Sequence, residues 1–270
     1  MSRILTLDGA MATLQMQTGL DAAAIHRAYL AAGADIISTD TFMAQHDAET
    51  NAAARTARLA ADQFRQVTPD QPRLVAGVIG TGGAGIRGLI DGGVDLLLAE
   101  TLVSVAQVLA VIDAASRQPD APPLMLSVAV TADGRLQSGD TMDTLVDALA
   151  GVSLFSIGLN CGSGVDGLLG SLRALAGGLK AQAGGMKAVT GGLKASGYQT
   201  RVSCHPAAGL PDAFGAYDEP PAMTSAFLHA AARDGLLDIA GGCCGTTPAT
   251  IAAIAQAVGG LPARMAGFRE

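Results

Sequence analysis

The chain has no tryptophan, and aromatic residues make up only 3% of its 270 positions. A core built without large rings must be filled by small aliphatic side chains, which fits a hydrophobic share of 49% rich in alanine and glycine. Charge is also sparse, at 15% of residues, and the balance is acidic, with a formal net charge of −7. A deficit of positive charge argues against a general nucleic-acid or anionic-membrane binder. No apolar run reaches about 18 residues without a charge or a glycine cluster, so no membrane span is expected. The start, MSRILTLDGA, lacks the apolar core and small-residue cleavage site of an export signal, and a cytoplasmic location is expected. Only four cysteines occur, and no two are spaced as the C-x₂₋₄-C pairs of structural zinc knots. Without an export signal, metal binding or catalysis is a better use for them than disulfides.

What is present is a repeating alternation. Short runs rich in Ile, Val and Leu at 4–8, 34–39, 74–79, 94–99, 124–130, 153–159, 200–204 and 237–241 read as strands. Helical segments are expected at 21–32, 47–66, 83–92, 102–117, 141–150, 164–176, 221–234 and 248–258. The strand runs are continuously apolar, as in parallel sheets covered on both faces. Eight strand–helix units in one chain of this length predict a single-domain (β/α)₈ TIM barrel over 1–270. Thr247 before Pro248 predicts a helix start, with proline in the first turn. One segment breaks the pattern: 177–197 reads GGLKAQA GGMKAVT GGLKASG, three copies of a seven-residue unit. Its glycine pairs weaken a helix, so it is expected to be an inserted surface loop or helical extension. Lys180, Lys187 and Lys194 offer a second reading, a partner-docking element.

Polar residues gather where such barrels carry their chemistry, at the C-terminal ends of the strands. These are Asp8 and Gly9, Thr39 to Thr41, Glu100 and Thr101, Asn160 and Cys161, His205, and the adjacent pair Cys243 and Cys244. Neighbouring residues in a strand face opposite ways. Leaving the strand through Gly241 and Gly242 would let both sulfurs turn to one point, with Cys161 arriving from the sixth strand. Three thiolates suit Zn²⁺ with an open fourth position; buried, unreactive thiols are the alternative reading. Cys204, within a strand, is expected to be a packed thiol. A rival motif, GTGGAG at 80–85 with Glu100 beyond it, has dinucleotide-binding spacing. The glycine-broken helix that follows argues against a nicotinamide oxidoreductase.

The stretches LDGAMATLQ, AGADIISTDTF, ETNAAAR, GVDLLLAET, GLNCG and GGCCGTTP run in order along nearly the whole chain. Together they resemble the zinc-dependent homocysteine S-methyltransferase family. HPAAGLPDAFGAYDEPP at 205–221 is most similar to the homocysteine module of cobalamin-dependent methionine synthase. The resemblance implies a (β/α)₈ barrel with Cys161, Cys243 and Cys244 as zinc ligands. It implies that Asp8, Gly9 and Glu100 hold the amino-acid end of homocysteine, with Asn160 beside the metal. A structural carboxylate is the alternative for Asp8 and Glu100, and a supporting or loop role for His205. The implied product is methionine, formed by a stand-alone subunit. Its methyl group would come from methylcobalamin on a separate corrinoid protein, reloaded by a folate-binding methyltransferase subunit. A free donor such as betaine or S-methylmethionine is the alternative, and a non-catalytic binding protein a further one. Three departures stand out: an abbreviated IGTGGAGIRGLIDGG connection, Ala207 where asparagine is common, and the 177–197 repeat.

Overall fold

The structure, a computed structural model, describes residues 3–80, 83–162, 165–185 and 200–264. Its strands are β1 (Leu5–Thr6), β2 (Ile36–Ser38), β3 (Leu74–Val78), β4 (Leu96–Leu102), β5 (Leu124–Val128), β6 (Ser156–Asn160), β7 (Arg201–His205) and β8 (Ile239–Ala240). The helices are α1 (Ala12–Thr18), α2 (Ala22–Ala31), α3 (Asp47–Val67), α4 (Ile86–Asp91), α5 (Val105–Ser116), α6 (Met142–Ala148), α7 (Val165–Gly185), α8 (Pro221–Arg233) and α9 (Pro248–Val258). All strand pairs are parallel and follow chain order, with β8 returning to β1. A parallel bridge from Leu7 to Ile36 closes the remaining seam between β1 and β2. The result is the expected (β/α)₈ barrel.

Alternation along the strands sorts the apolar residues into two cores. Leu5, Leu7, Ile36, Ala76, Val78, Leu96, Leu98, Met125 and Ile239 pack together in the barrel interior. The intervening residues, such as Val75, Leu97, Leu126 and Ile157, face the helices in a second, larger cluster. Both faces of each strand are therefore dry, which is why the strand runs read as continuous rather than alternating. On α3 the buried positions Thr50, Ala54, Ala57 and Ala61 recur every three or four residues, the spacing of one helical face. The α9 start behaves as expected: Thr247 Oγ1 accepts from Thr250 N, and Pro248 occupies the first turn.

Three aspartates tie the N-terminal rim. Asp35 accepts from Thr6 N and from both terminal nitrogens of Arg3. Asp95 accepts from Val75 N and Arg58, and Asp238 from Val202 N and Arg264. Each carboxylate thus bonds the main chain of a neighbouring strand while an arginine balances its charge.

Several boundaries differ from the sequence reading. β4 runs on to Leu102, where a helix was expected to begin, and α5 starts at Val105 behind the Ser104 cap. α1 was not anticipated. α7 continues past residue 176 to Gly185, through the first repeat unit and its glycine pair. Contact explains this: a Cβ on Gly178 would stand 3.0 Å from Val146 Cγ2, and Gln182 Nε2 donates to Val146 O. The close approach to α6 that glycine permits offsets its poor helix propensity. Residues 186–197, including Lys187 and Lys194, lie outside the described residues.

The glycines after β3 also serve packing. A Cβ on Gly88 would fall 2.0 Å from Asp47 O, and one on Gly85 2.5 Å from Thr50 Cγ2. They let α4 lie directly against α3. No helix among the described residues is long and apolar enough to cross a membrane.

Candidate metal and substrate site

At the C-terminal rim, β6 ends at Asn160 and the chain turns sharply. Cys161 has φ 50°, in the left-handed region that costs a residue with a side chain strain energy. Its N–H donates to His205 O at the end of β7. This turn carries the Cys161 sulfur sideways, across β7, toward the end of β8. There Gly241 N donates to Cys204 O and Gly242 N to Asp8 O, so the chain after β8 is still tied to both neighbours. Side chains have no room at these glycines: a Cβ on Gly241 would meet Leu7 Cβ at 2.7 Å, and one on Gly242 would meet Thr246 Oγ1 at 2.4 Å. Cys243 N then bonds Pro206 O, while Cys243 O accepts from both Thr246 N and Thr246 Oγ1.

The three sulfurs come together as the sequence predicted. Cys161 Sγ lies 2.9 Å from Cys243 Sγ and 3.5 Å from Cys244 Sγ, and the two adjacent sulfurs are 4.0 Å apart. All three cysteines are free and half-buried, whereas Cys204 is fully buried as a packed thiol. Sulfurs at tetrahedral vertices with Zn–S bonds of about 2.3 Å stand about 3.8 Å apart. Two edges of the triangle bracket that value, and the third, Cys161 to Cys243, is shorter. The donor set therefore fits a zinc ion after a small opening of the Cys161–Cys243 edge. Hydrogen bonds from Cys161 and then Cys243 push the Cys244 thiol down, whereas Cys243 is pushed up by those same contacts and by burial.

Asn160 braces the cluster. Its Oδ1 accepts from Thr101 N at 2.9 Å, and its Nδ2 donates to Thr101 Oγ1 at 2.8 Å and reaches toward Cys243 Sγ at 3.6 Å. Thr101, with φ 58°, is the other non-glycine residue in the left-handed region among those described. The strained turn and the fixed amide thus hold each other.

A pocket of about 150 Å³ opens beside the sulfurs, bordered by Asp8, Gly9, Glu100, His205, Cys243 and Cys244. Burial, with the nearby Cys244 charge, pushes the Glu100 carboxyl up to about 7. His205 Nδ1 is 3.8 Å from Glu100 Oε2, while its buried Nε2 has no partner. Burial drives its imidazole down to about 4, so it is neutral. Glu100, His205 and Cys243 form a second group with ligand-type atoms within 4.8 Å of one another, sharing Cys243 with the sulfur triangle. Asp8 is committed to the frame: Oδ2 accepts from Ser38 N and Oδ1 from Ser38 Oγ, joining β1 to β2. Gly9 has no space for a side chain, since a Cβ would sit 2.5 Å from Thr246 Oγ1 and 2.8 Å from the Tyr29 hydroxyl.

Thr101 was read in the sequence only as a polar strand end, and its pairing with Asn160 emerges in the fold. Tyr217 escaped the sequence reading: it lies within the 205–221 stretch and packs against Gly245, the residue after Cys244.

Residues 5–258 match the model of a family described as homocysteine S-methyltransferase. Among solved structures, the oxidized form of the homocysteine methyltransferase MmuM from Escherichia coli superposes with a TM-score of 0.74. It is 21% identical, over 94% of this chain and 95% of that one. The metallated form of the same protein gives 0.70 at 21% identity, over 93% and 95%. The Rubisco of Pyrococcus horikoshii gives 0.60 at 14% identity, with 99% of this chain on 61% of that one. At these identities the structural matches speak for the barrel alone.

Proposed function

Because the chain belongs to the homocysteine S-methyltransferase family, we propose that it methylates homocysteine to methionine at a zinc ion held by Cys161, Cys243 and Cys244. The observation that carries this reading is the triangle of three sulfurs opening onto a pocket that also holds a buried carboxylate. A bound zinc ion would supply a fourth position where the substrate thiol is held as a nucleophilic thiolate. The existence of a metallated form of MmuM supports the choice of a metal-dependent site.

The chain's own residues do the rest. Glu100 is the candidate for the substrate ammonium, because a cation beside it offsets the burial that now disfavours its charge. Gly9 brings bare main chain to the pocket wall, where N–H groups can take the substrate carboxylate. Asp8 holds the wall by fixing Ser38. Asn160 keeps Cys243 in place, and the neutral His205 backs Glu100.

For the methyl donor, the reading is methylcobalamin on a separate corrinoid protein, with a folate-binding methyltransferase subunit to reload it. The 205–221 stretch supports this. So do exposed apolar side chains on loops at the barrel mouth, Met43, Leu210 and Phe214, which suit a macromolecular partner more than a small donor. The second reading is a free cationic donor such as betaine or S-methylmethionine, favoured by the exposed Asp40 at the pocket edge. Purified zinc-loaded protein with homocysteine is assayed with methylcobalamin, betaine and S-methylmethionine in turn. Methionine formed from methylcobalamin alone is expected; turnover with betaine or S-methylmethionine and none with methylcobalamin would replace the first reading with the second.

A further inference from the structure

Homocysteine in the proposed site is gripped at two ends, its sulfur at the metal and its amino-acid group at the Gly9 wall. We propose that Tyr29 is a positioning residue that fixes the spacing between these two grips. From behind the pocket wall, its hydroxyl ties the turn after β1 to the turn that carries Cys243 and Cys244. The inference rests on the metal and substrate reading above and extends it to selectivity for thiols that carry an amino-acid group.

Three observations converge. First, Tyr29 on α2 is fully buried, and its hydroxyl donates to Ala10 O at 2.9 Å and to Thr246 O at 3.2 Å. A tyrosine has one hydroxyl hydrogen, so the two turns share it, although 236 residues separate them in the chain. Second, the bare main chain of Gly9 rests on the tyrosine. A Cβ there would stand 2.8 Å from the hydroxyl oxygen and 3.1 Å from Tyr29 Cζ. Third, the same two turns meet at further points. Gly242 N donates to Asp8 O at 3.0 Å, Gly245 N to Thr13 Oγ1 at 3.1 Å, and Ala10 N to Thr246 Oγ1 at 3.4 Å. Thr246 Oγ1 in turn donates to Cys243 O at 2.6 Å, which carries the joint to a metal ligand. Asp8, Gly9, Ala10, Cys243 and Cys244 border the pocket, and Tyr29 stands behind them.

The joint acts as a ruler. One end sets the cysteine ligands, and the other sets the main-chain N–H groups near Gly9. A thiol with an amino-acid end has to satisfy both at once, so it gains from turns that are already held at the right separation. A plain alkanethiol uses the metal end alone and is indifferent to that separation. Removing the hydroxyl takes the shared donor from two carbonyl oxygens in a buried wall, and the turns relax apart as those oxygens seek other partners.

The test uses the full chain loaded with Co²⁺ in place of zinc, because cobalt–thiolate absorption reads thiol binding at the metal without any methyl donor. Wild type and Tyr29→Phe, which keeps the ring and removes only the hydroxyl, are titrated with homocysteine and with propanethiol. Cobalt content and circular dichroism are recorded on the same samples. The variant is expected to bind homocysteine about fivefold more weakly, equivalent to about 1 kcal/mol and typical of one hydrogen bond. Its affinity for propanethiol should match that of wild type. Should Tyr29→Phe fail to fold, Thr13→Ala cuts the Gly245 bond at the same joint and carries the same expectation. Unchanged homocysteine affinity in the folded variant would overturn the inference alone. So would an equal fall for both thiols, which marks damage to the sulfur cluster or the fold. A wild-type protein that takes up no metal, or shows no thiolate band with homocysteine, would overturn the metal reading and this inference with it.

Discussion

Asn160 and Thr101 are locked to each other by a reciprocal pair of hydrogen bonds, although 59 residues separate them in the chain. The amide oxygen accepts from the Thr101 main chain at the end of β4, and the amide nitrogen donates to its side chain while leaning toward Cys243. Asn160→Asp keeps the shape but replaces a donor with an anion next to thiolates. Zinc affinity is expected to fall by about 10- to 100-fold, the usual cost of losing a group that orients a metal ligand. Competition with a chromogenic chelator measures this, and an unchanged affinity would remove Asn160 from the support of the site.

The sulfur cluster makes a stoichiometric prediction. Wild-type protein should bind about one zinc per chain, as expected for a single three-thiolate site. Cys161→Ala and Cys244→Ala should each lose it, whereas Cys204→Ala should retain it, because Cys204 is buried between strand and helix. Metal analysis after gel filtration decides. A metal-free protein with full activity would refute the mechanism.

The buried histidine of α2 predicts a pH effect on stability. His26 is 1% exposed, both its ring nitrogens are unpartnered, and burial brings its imidazole down to about 4, with Asp40 pulling weakly the other way. A depressed folded-state value means the unfolded chain takes up the proton first. The stability His26 contributes is therefore fully present above about pH 6.5 and is lost as pH falls toward 4. Glu100, shifted upward, acts in the opposite direction between 4.5 and about 7, so the parent curve alone mixes the two. His26→Leu isolates the histidine: relative to wild type, the variant's melting temperature should rise as pH drops from 7 to 5. A constant difference would show that His26 does not titrate in this way.

Asp238 and Arg264 form an ion pair whose side chains are 2% and 7% exposed, with Asp238 also bonded to Val202 N. Removing one member of such a pair strands the other. Asp238→Ala should cost about 3–5 kcal/mol, read as a lowered urea midpoint. A loss below about 1 kcal/mol, the range of an exposed pair, would mean the arginine finds water instead.

The barrel was legible because its strands are covered on both faces, which writes them as unbroken apolar runs. The ends were not. β1, β2 and β8 are each only two or three residues long, since their outer parts already belong to the rim. Cys161, Cys243 and Cys244 could be read as converging because cysteine is rare here and the barrel places strand ends on one face. Asp8 was harder. Its type suits an ammonium, but in the fold both oxygens are engaged by Ser38, a contact no local pattern announces. Tyr217 and Thr101 owe their positions to loop geometry and to a positive φ at a non-glycine residue, neither of which leaves a periodic trace. Of the two forms expected for the first repeat unit, a loop or a helical extension, the fold takes the helix. Propensity treats glycine as a weakness there, whereas at Gly178 the close approach of Val146 leaves little room for a Cβ.

The aspartates beneath β2, β4 and β8 give the molecule a division of labour. Each links adjacent strands at the end farthest from the sulfurs, so the barrel's closure does not depend on any loop at the mouth. Insertions, deletions and sequence drift can then be confined to the mouth as local experiments, judged by what they do to substrate and donor rather than by whether the chain still folds. The compact glycine-rich connection after β3 is one such experiment carried by this chassis.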